Sequence, residues 1–302
     1  MMEHTNLKLA LNDEQQIDRL RQIDALKKNR IVLDFMKKHD LPVRVLEEHS
    51  SLFADWIKRL EKCSGCQGLT YCRQPITGRI KTLCIDEEGF LSDSYTACRY
   101  EKKEEDRMRH RKNYRIFDGS YNDLLIDEHS VDPQKESRPY MEAYILMNDS
   151  YDMKKGVYLY GQPGTGKTFL SRILANKYTH DDHTVAFVNM PQCIQAMKQN
   201  MTDVQYRMTM ISRMKFSDVL FLDDIGSESI SAWTRDEILF PILEYRMNNR
   251  LKTYFTSNYT LEELKLRYGR VREENSEVAS LRIIERIRTL AILCPLQGNS
   301  RR

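Results

Sequence analysis

One run of eight residues limits what this chain can become more than any other: Gly161, Gln162, Pro163, Gly164, Thr165, Gly166, Lys167 and Thr168. It fits G-x-x-x-x-G-K-[ST], the phosphate-binding P-loop. Val157 to Tyr160 before it is a short apolar, aromatic run that reads as a buried strand. Phe169, Leu170, Ile173, Leu174 and Tyr178 after it recur at helical spacing. Strand, glycine loop, helix is the order that phosphate chemistry needs. Glycines let backbone N–H groups turn inward around a phosphate, and the helix N-terminus adds a partial positive charge. In that frame Lys167 reaches the β and γ phosphates of a nucleotide, and Thr168 offers its hydroxyl to Mg²⁺. A glycine turn that matched by chance would lack these two flanks.

Two later strands end in polar residues. Val219 to Leu222 closes on Asp223 and Asp224, the pattern of a Walker B strand whose end points at the metal beside a P-loop. Asp223 is expected to hold Mg²⁺, and Asp224 to orient or polarise the attacking water. Thr253 to Ser257 is another strand, followed by Asn258. Asn often begins a turn. After a P-loop and an acidic strand it is read instead as a sensor of the γ-phosphate or the lytic water. Residues 280–288 form a helix with Leu281, Ile284 and Ile287 on one face and arginines on the other. An arginine there can complete a neighbouring subunit's site; Arg286 is the first choice and Arg282 the alternate. The competing reading is a solvated basic face. The guanine-reading N-K-x-D motif is missing, since Asn176-Lys177 lacks the Asp, and so is the L-S-G-G-Q of transporter ATPases.

From about residue 140 onward helical and strand patterns alternate, the sign of an α/β domain with a parallel sheet and helices on both faces. Residues 1–60 read as helical. Asn12 and Gln15 make a capping box, after which Ile17, Leu20, Ile23 and Leu26 recur three apart. A second helix carries Ile31, Leu33, Phe35 and Met36 and stops before Pro42. Leu52, Phe53, Trp56, Ile57 and Leu60 form one apolar stripe. The expected plan is a helical, cysteine-rich domain over 1–100, a charged linker over 101–138 and a nucleotide-binding domain over 139–302.

Five of the seven cysteines fall between residues 63 and 98. Cys63 and Cys66 form a C-x-x-C knuckle, whose spacing lets two thiolates grip one tetrahedral metal. This polar stretch is too short to bury a core, and a structural Zn²⁺ would supply the missing folding energy. Cys98 is the expected closing ligand. The fourth is Cys84 or Cys72. Cys84 is preferred, because residues 83–85 read as a strand facing the knuckle. The alternative is a set of reduced, buried cysteines. An odd cysteine count without a secretory signal argues against disulfides. The 47 basic and 44 acidic residues nearly balance, so any nucleic-acid surface must be a local patch. No apolar run approaches the roughly 18 residues of a membrane span, and the chain is read as a soluble cytoplasmic protein with no membrane partner.

Together, Gly161 to Thr168, Leu222 to Glu228, Glu244 to Met247, Phe255 to Asn258 and Arg282 to Arg286 resemble the AAA+ helicase loaders. The cysteine-bearing N-terminal part narrows the resemblance to the DnaI type of Gram-positive bacteria. The resemblance implies a primosomal protein. Its zinc domain binds the replicative hexameric helicase, and its AAA+ ATPase domain binds ATP and single-stranded DNA and associates with further copies of itself. It implies Asp223 as the Walker B acid, Asn258 as sensor 1 and Arg286 as the arginine finger. Basic groups around Arg267, Arg270 and Arg272 are expected to contact DNA backbone. Two departures stand out. Most AAA+ proteins carry Glu where this chain has Asp224, one methylene shorter, which points to slow, partner-regulated turnover. The loaders also place a histidine among the zinc ligands, and no histidine lies between His49 and His110 here. The rival reading is an ATP-switched DNA-binding adaptor such as a transposition helper ATPase.

Overall fold

The computed structural model describes residues 12–87, 89–271, 276–298 and 300. Two compact units follow each other along the chain, Met1–Asp106 and Arg107–Arg302.

The first unit opens on the capping box. Gln15 N–H donates to Asn12 Oδ1 at 2.8 Å, and Asn12 N–H donates back to Gln15 Oε1 at 3.1 Å. Helix α1 (Asp13–Lys28) follows, then α2 (Arg30–Lys38), α3 (Val43–Glu48) and α4 (Ser50–Glu61). Leu26, Val32, Met36, Leu46, Phe53 and Trp56 form their shared core. The apolar row of α1 is only half used, because Ile23 and Leu26 are buried while Ile17 and Leu20 are 50% and 66% exposed. Strands β1 (Arg79–Ile85) and β2 (Leu91–Ala97) pair antiparallel, with Cys84 opposite Ser92. Leu83 of β1 enters the helical core. Helix α5 (Arg99–Arg107) is charged at every position but Tyr100.

The second unit is a six-stranded sheet in which every pairing is parallel. In chain order its elements are β3 (Tyr114–Phe117), α6 (Arg138–Asp149), β4 (Gly156–Tyr160), α7 (Lys167–His180), β5 (Val185–Asn189), α8 (Met190–Gln199), α9 (Val204–Phe216) and β6 (Val219–Asp223). A π-helical stretch, Trp233–Leu239, leads into α10 (Phe240–Asn248). Strand β7 (Lys252–Ser257), α11 (Leu261–Gly269), α12 (Ser276–Leu290) and β8 (Ala291–Pro295) complete it. The strand order is β3-β5-β6-β7-β4-β8. The sequence placed residues 114–117 in a charged linker region, yet they form the edge strand beside β5. Between β5 and β6 run two helices, α8 and α9, parted at residues 200–203.

Side chains of period two divide the sheet between two cores. Val157, Leu159, Phe187 and Phe221 pack towards α6 and α7. Tyr158, Val188, Leu222 and Phe255 pack on the opposite face, towards α8, α10, α11 and α12. At the lower rim, fully buried Arg246 donates to the carbonyls of Met214, Ser217 and Lys252 at 2.9, 2.8 and 2.5 Å. Burial lowers its pKa to about 9. Arg246 thereby ties the end of α9 to the starts of β6 and β7. Among the described residues no helix is long and apolar enough to cross a membrane.

His110 is buried and stacks on His180 with ring centroids 4.0 Å apart. Burial, and then the charge of His180, lower its pKa from 6.5. The unfolded chain therefore takes up this proton first. The stability that neutral His110 gives is complete above the unfolded value and is lost as pH falls toward the lowered folded one. Urea unfolding between pH 7.5 and 5.5 should show stability falling by up to about 1.4 kcal/mol per pH unit from this group. In His110→Gln that part of the slope should vanish.

Candidate nucleotide site

Strand β7 lies between β4 and β6, so the carboxyl ends of these three strands stand side by side. This is where a parallel α/β sheet binds ligands. Strand β4 ends at Tyr160, whose carbonyl accepts the Leu296 N–H at 2.7 Å. The chain then turns at Gly161, where a Cβ would sit 2.1 Å from the Leu296 carbonyl oxygen. Only glycine fits so close an approach. Gly164 and Gly166 take φ of +85° and +99°, the left-handed region that L side chains avoid. Helix α7 begins at Lys167, with Gly166 as its N-cap and no side-chain cap hydrogen bond.

Lys167 is 7% exposed. Its Nζ donates to the carbonyls of Gly161 and Gln162, each at 2.8 Å, and to Asn258 Oδ1 at 2.9 Å. Thr168 Oγ1 donates to Asp223 Oδ1 at 2.9 Å. Thr256 Oγ1 donates to the same oxygen at 2.7 Å and receives the Asp224 N–H at 2.8 Å. Burial raises the Asp223 pKa, opposed by the hydroxyls of Thr256 and Thr168. Asp224 has φ +59°. Its Oδ1 accepts from Asn258 Nδ2 at 2.7 Å and Ser227 Oγ at 2.8 Å. Lys167, Thr168, Asp223, Asp224, Thr256 and Asn258 line a cavity of about 440 Å³ together with Pro163 and Gly164, a volume that suits a small ligand.

The structure thus brings together Lys167, Thr168, Asp223, Asp224 and Asn258. It adds four residues that the sequence did not single out. Thr256 and Asn189 reach Asp223 from the neighbouring strands, Asn189 Nδ2 at 3.5 Å. Ser227 holds Asp224, and Arg172, one turn beyond Thr168, lines the same cavity. Arg172 was findable, since residues four apart share a helix face. Thr256 and Asn189 depend on strand neighbours, and Ser227 on the turn that follows β6.

Arg286 does not join them. It lies on α12, paired with Glu244 and stacked 4.3 Å over the Phe240 ring. Arg282 is exposed on the same helix. Arg267 donates to Gly226 O at 2.9 Å and Arg270 is exposed. Arg272 lies outside the described residues.

The cysteines are placed differently from the expected set. Cys63, Cys66, Cys72 and Cys98 line one cavity of about 210 Å³. Cys84 is not brought to it. Strand alternation sends Leu83 into the helical core and its neighbour Cys84 to the other face, where Sγ lies 3.1 Å from Ser92 Oγ. Cys63 Sγ accepts from Gln74 Nε2 at 3.1 Å, and Cys98 Sγ from the Glu101 N–H at 3.4 Å. All seven cysteines are free thiols. Among the described residues no three His, Cys, Asp or Glu side chains are set as a metal site. The donor chemistry suits zinc, but the sulfurs are not gathered around one point.

A P-loop lysine, a hydrogen-bonded Thr–Asp pair and a second Asp held by Asn, all at the carboxyl edge of a parallel sheet, define a P-loop ATPase of the AAA+ class. Residues 145–302 match the family model described as IstB-like ATP binding protein. Over 295 residues the chain is 30% identical to the replicative helicase loader DnaI of Bacillus subtilis (strain 168), covering 94% of this chain and 93% of that one. A crystal structure of DnaI superposes with a TM-score of 0.54 at 29% identity, covering 62% of this chain and 98% of that one. A putative primosome component from Streptococcus pyogenes serotype M3 does so at 0.52 and 28%, covering 65% and 98%. The chain belongs to the IstB-like ATP-binding family and, along nearly its whole length, to the DnaI family of replicative helicase loaders.

Proposed function

We propose that this protein uses ATP to load the replicative hexameric helicase onto DNA during primosome assembly. One observation carries the reading: Lys167, Thr168, Asp223, Asp224 and Asn258 meet at one cavity in a chain that aligns with a helicase loader over 94% of its length. The loop N–H groups of residues 162 and 164–166, together with Lys167, bind the phosphates of ATP, with Lys167 exchanging its carbonyl partners for the β and γ oxygens. Thr168 and Asp223 hold Mg²⁺, which when bound neutralises charge on the phosphates. Asp224 orients the attacking water, and Asn258 keeps the Asp224 carboxylate aimed. Aspartate is one methylene shorter than the usual glutamate, so turnover is slow without a partner.

The unit Met1–Asp106 docks the helicase, and copies of the ATPase unit associate. Arg286 then leaves Glu244 to reach the neighbouring copy's phosphate. Exposed Arg270 belongs to the face that meets single-stranded DNA. Cys63, Cys66, Cys72 and Cys98 take a structural Zn²⁺, drawn together on metal binding. Their shared cavity and the N–H donors to Cys63 and Cys98 support this set over one containing Cys84.

Tagged full-length protein should capture a hexameric helicase from cell extract. Lys167→Ala should weaken ATP binding by at least about 30-fold, from the loss of charge-assisted hydrogen bonds, and still capture the helicase. Loss of both activities contradicts separate roles for the units, and capture of a transposase instead supports the adaptor reading. Elemental analysis should find about one zinc per chain, lost in Cys72→Ser and kept in Cys84→Ser; a metal-free native chain contradicts the cysteine assignment.

A further inference from the structure

The turn that carries Asp224 is held from two sides. On the sheet side, Ile225 N–H donates to Thr256 O at 2.9 Å and Ser257 Oγ to Ile225 O at 2.7 Å. On the other side stands Glu228, 3% exposed and away from the cavity. Its Oε2 accepts the Gly226 N–H at 2.6 Å, and its Oε1 accepts the hydroxyl of Tyr268 at 2.5 Å. Tyr268 is fully buried on α11. Its neighbour Arg267 donates from Nε to the Gly226 carbonyl at 2.9 Å and stacks 4.3 Å over the Tyr259 ring. Both backbone groups of Gly226 are therefore fixed, one by Glu228 and one by α11. Gly226 itself has φ +91°, and a Cβ there would meet Leu264 Cδ1 at 2.5 Å.

This arrangement is expensive. A buried carboxylate is unfavourable unless its lone pairs are used, and a non-glycine residue in the left-handed region, as Asp224 is, is strained. An apolar side chain at residue 228 would avoid the first cost. It would also leave the Gly226 N–H unpaired and the turn free to relax Asp224 out of its φ of +59°.

We infer that Glu228 and Tyr268 are a positioning pair that sets the direction of the Asp224 carboxylate and couples it to the position of helix α11. The inference rests on the reading of Asp224 as the residue that orients the attacking water. Neither Glu228 nor Tyr268 lines the nucleotide cavity. Their loss acts on the hydrolytic step and spares nucleotide binding.

The test is steady-state ATPase kinetics of the full chain, with fluorescent-nucleotide titration and melting curves on the same samples. Tyr268→Phe removes only a hydroxyl and should lower kcat about tenfold, the scale of one charge-assisted hydrogen bond, with KM and nucleotide Kd within about twofold. Glu228→Ala should lower kcat at least as far. Glu228→Gln, which keeps length and an acceptor, should recover to within about threefold of the native rate. The double variant Glu228→Ala with Tyr268→Phe should be no slower than Glu228→Ala alone, because both break one contact. Asp224→Asn serves as the reference. If it loses kcat while Tyr268→Phe and Glu228→Ala change only the melting temperature, the positioning pair is wrong and the Asp224 reading stands. Should Asp224→Asn keep its kcat, the Asp224 reading fails and takes the pair with it.

Discussion

A single buried oxygen joins the loops of three strands. Asp223 Oδ1, at the tip of β6, accepts the hydroxyl of Thr168 from the start of α7 and that of Thr256 from β7. Asp223 is 4% exposed, so an ionised carboxylate there is stable only because its lone pairs are used. The same contacts place the P-loop helix, the acidic strand and the Asn258 strand in one register. Each candidate group in the cavity hangs from that junction.

The sheet makes the junction possible. In chain order the P-loop strand comes first, the acidic strand third and the Asn258 strand fourth of the strands from β4 onward, yet in space β7 stands between β4 and β6. Residues far apart in sequence thereby come within hydrogen-bond reach. Thr256 meets Asp223 and receives the Asp224 N–H, while Asn258 spans Lys167 and Asp224. At the opposite rim Arg246 binds carbonyls at the end of α9 and around the starts of β6 and β7. The strands are pinned at both ends, and their apolar middles fill the cores on either face.

What could be read from the residues alone follows from the same geometry. The P-loop, the strand closing on Asp223 and the strand before Asn258 are local patterns, each carried by consecutive side chains of the right chemistry. The alternation after residue 140 made the parallel sheet legible. Thr256, Asn189 and Ser227 stayed hidden because their partners lie on other strands or across a turn, and strand order is not written along the chain. Arg286 shows the same limit: periodicity puts it on the polar face of α12, but nothing in that helix reveals Glu244 on α10. Cys84 was misplaced for a local reason. Leu83 is the residue the core takes, and a period of two turns its neighbour outward. In α1, the regular row of Ile17 and Leu20 gave no sign that the core ends at Ile23.

The central claim is that Asp223 and Thr168 bind the metal that accompanies the nucleotide. The most direct measurement is calorimetric titration of ATP, with and without Mg²⁺, into the native chain and Asp223→Asn. The native chain should gain about tenfold in affinity with Mg²⁺, roughly 1.4 kcal/mol. Asp223→Asn should lose that gain while binding metal-free ATP as the native chain does. An equal Mg²⁺ effect in both proteins would contradict the account.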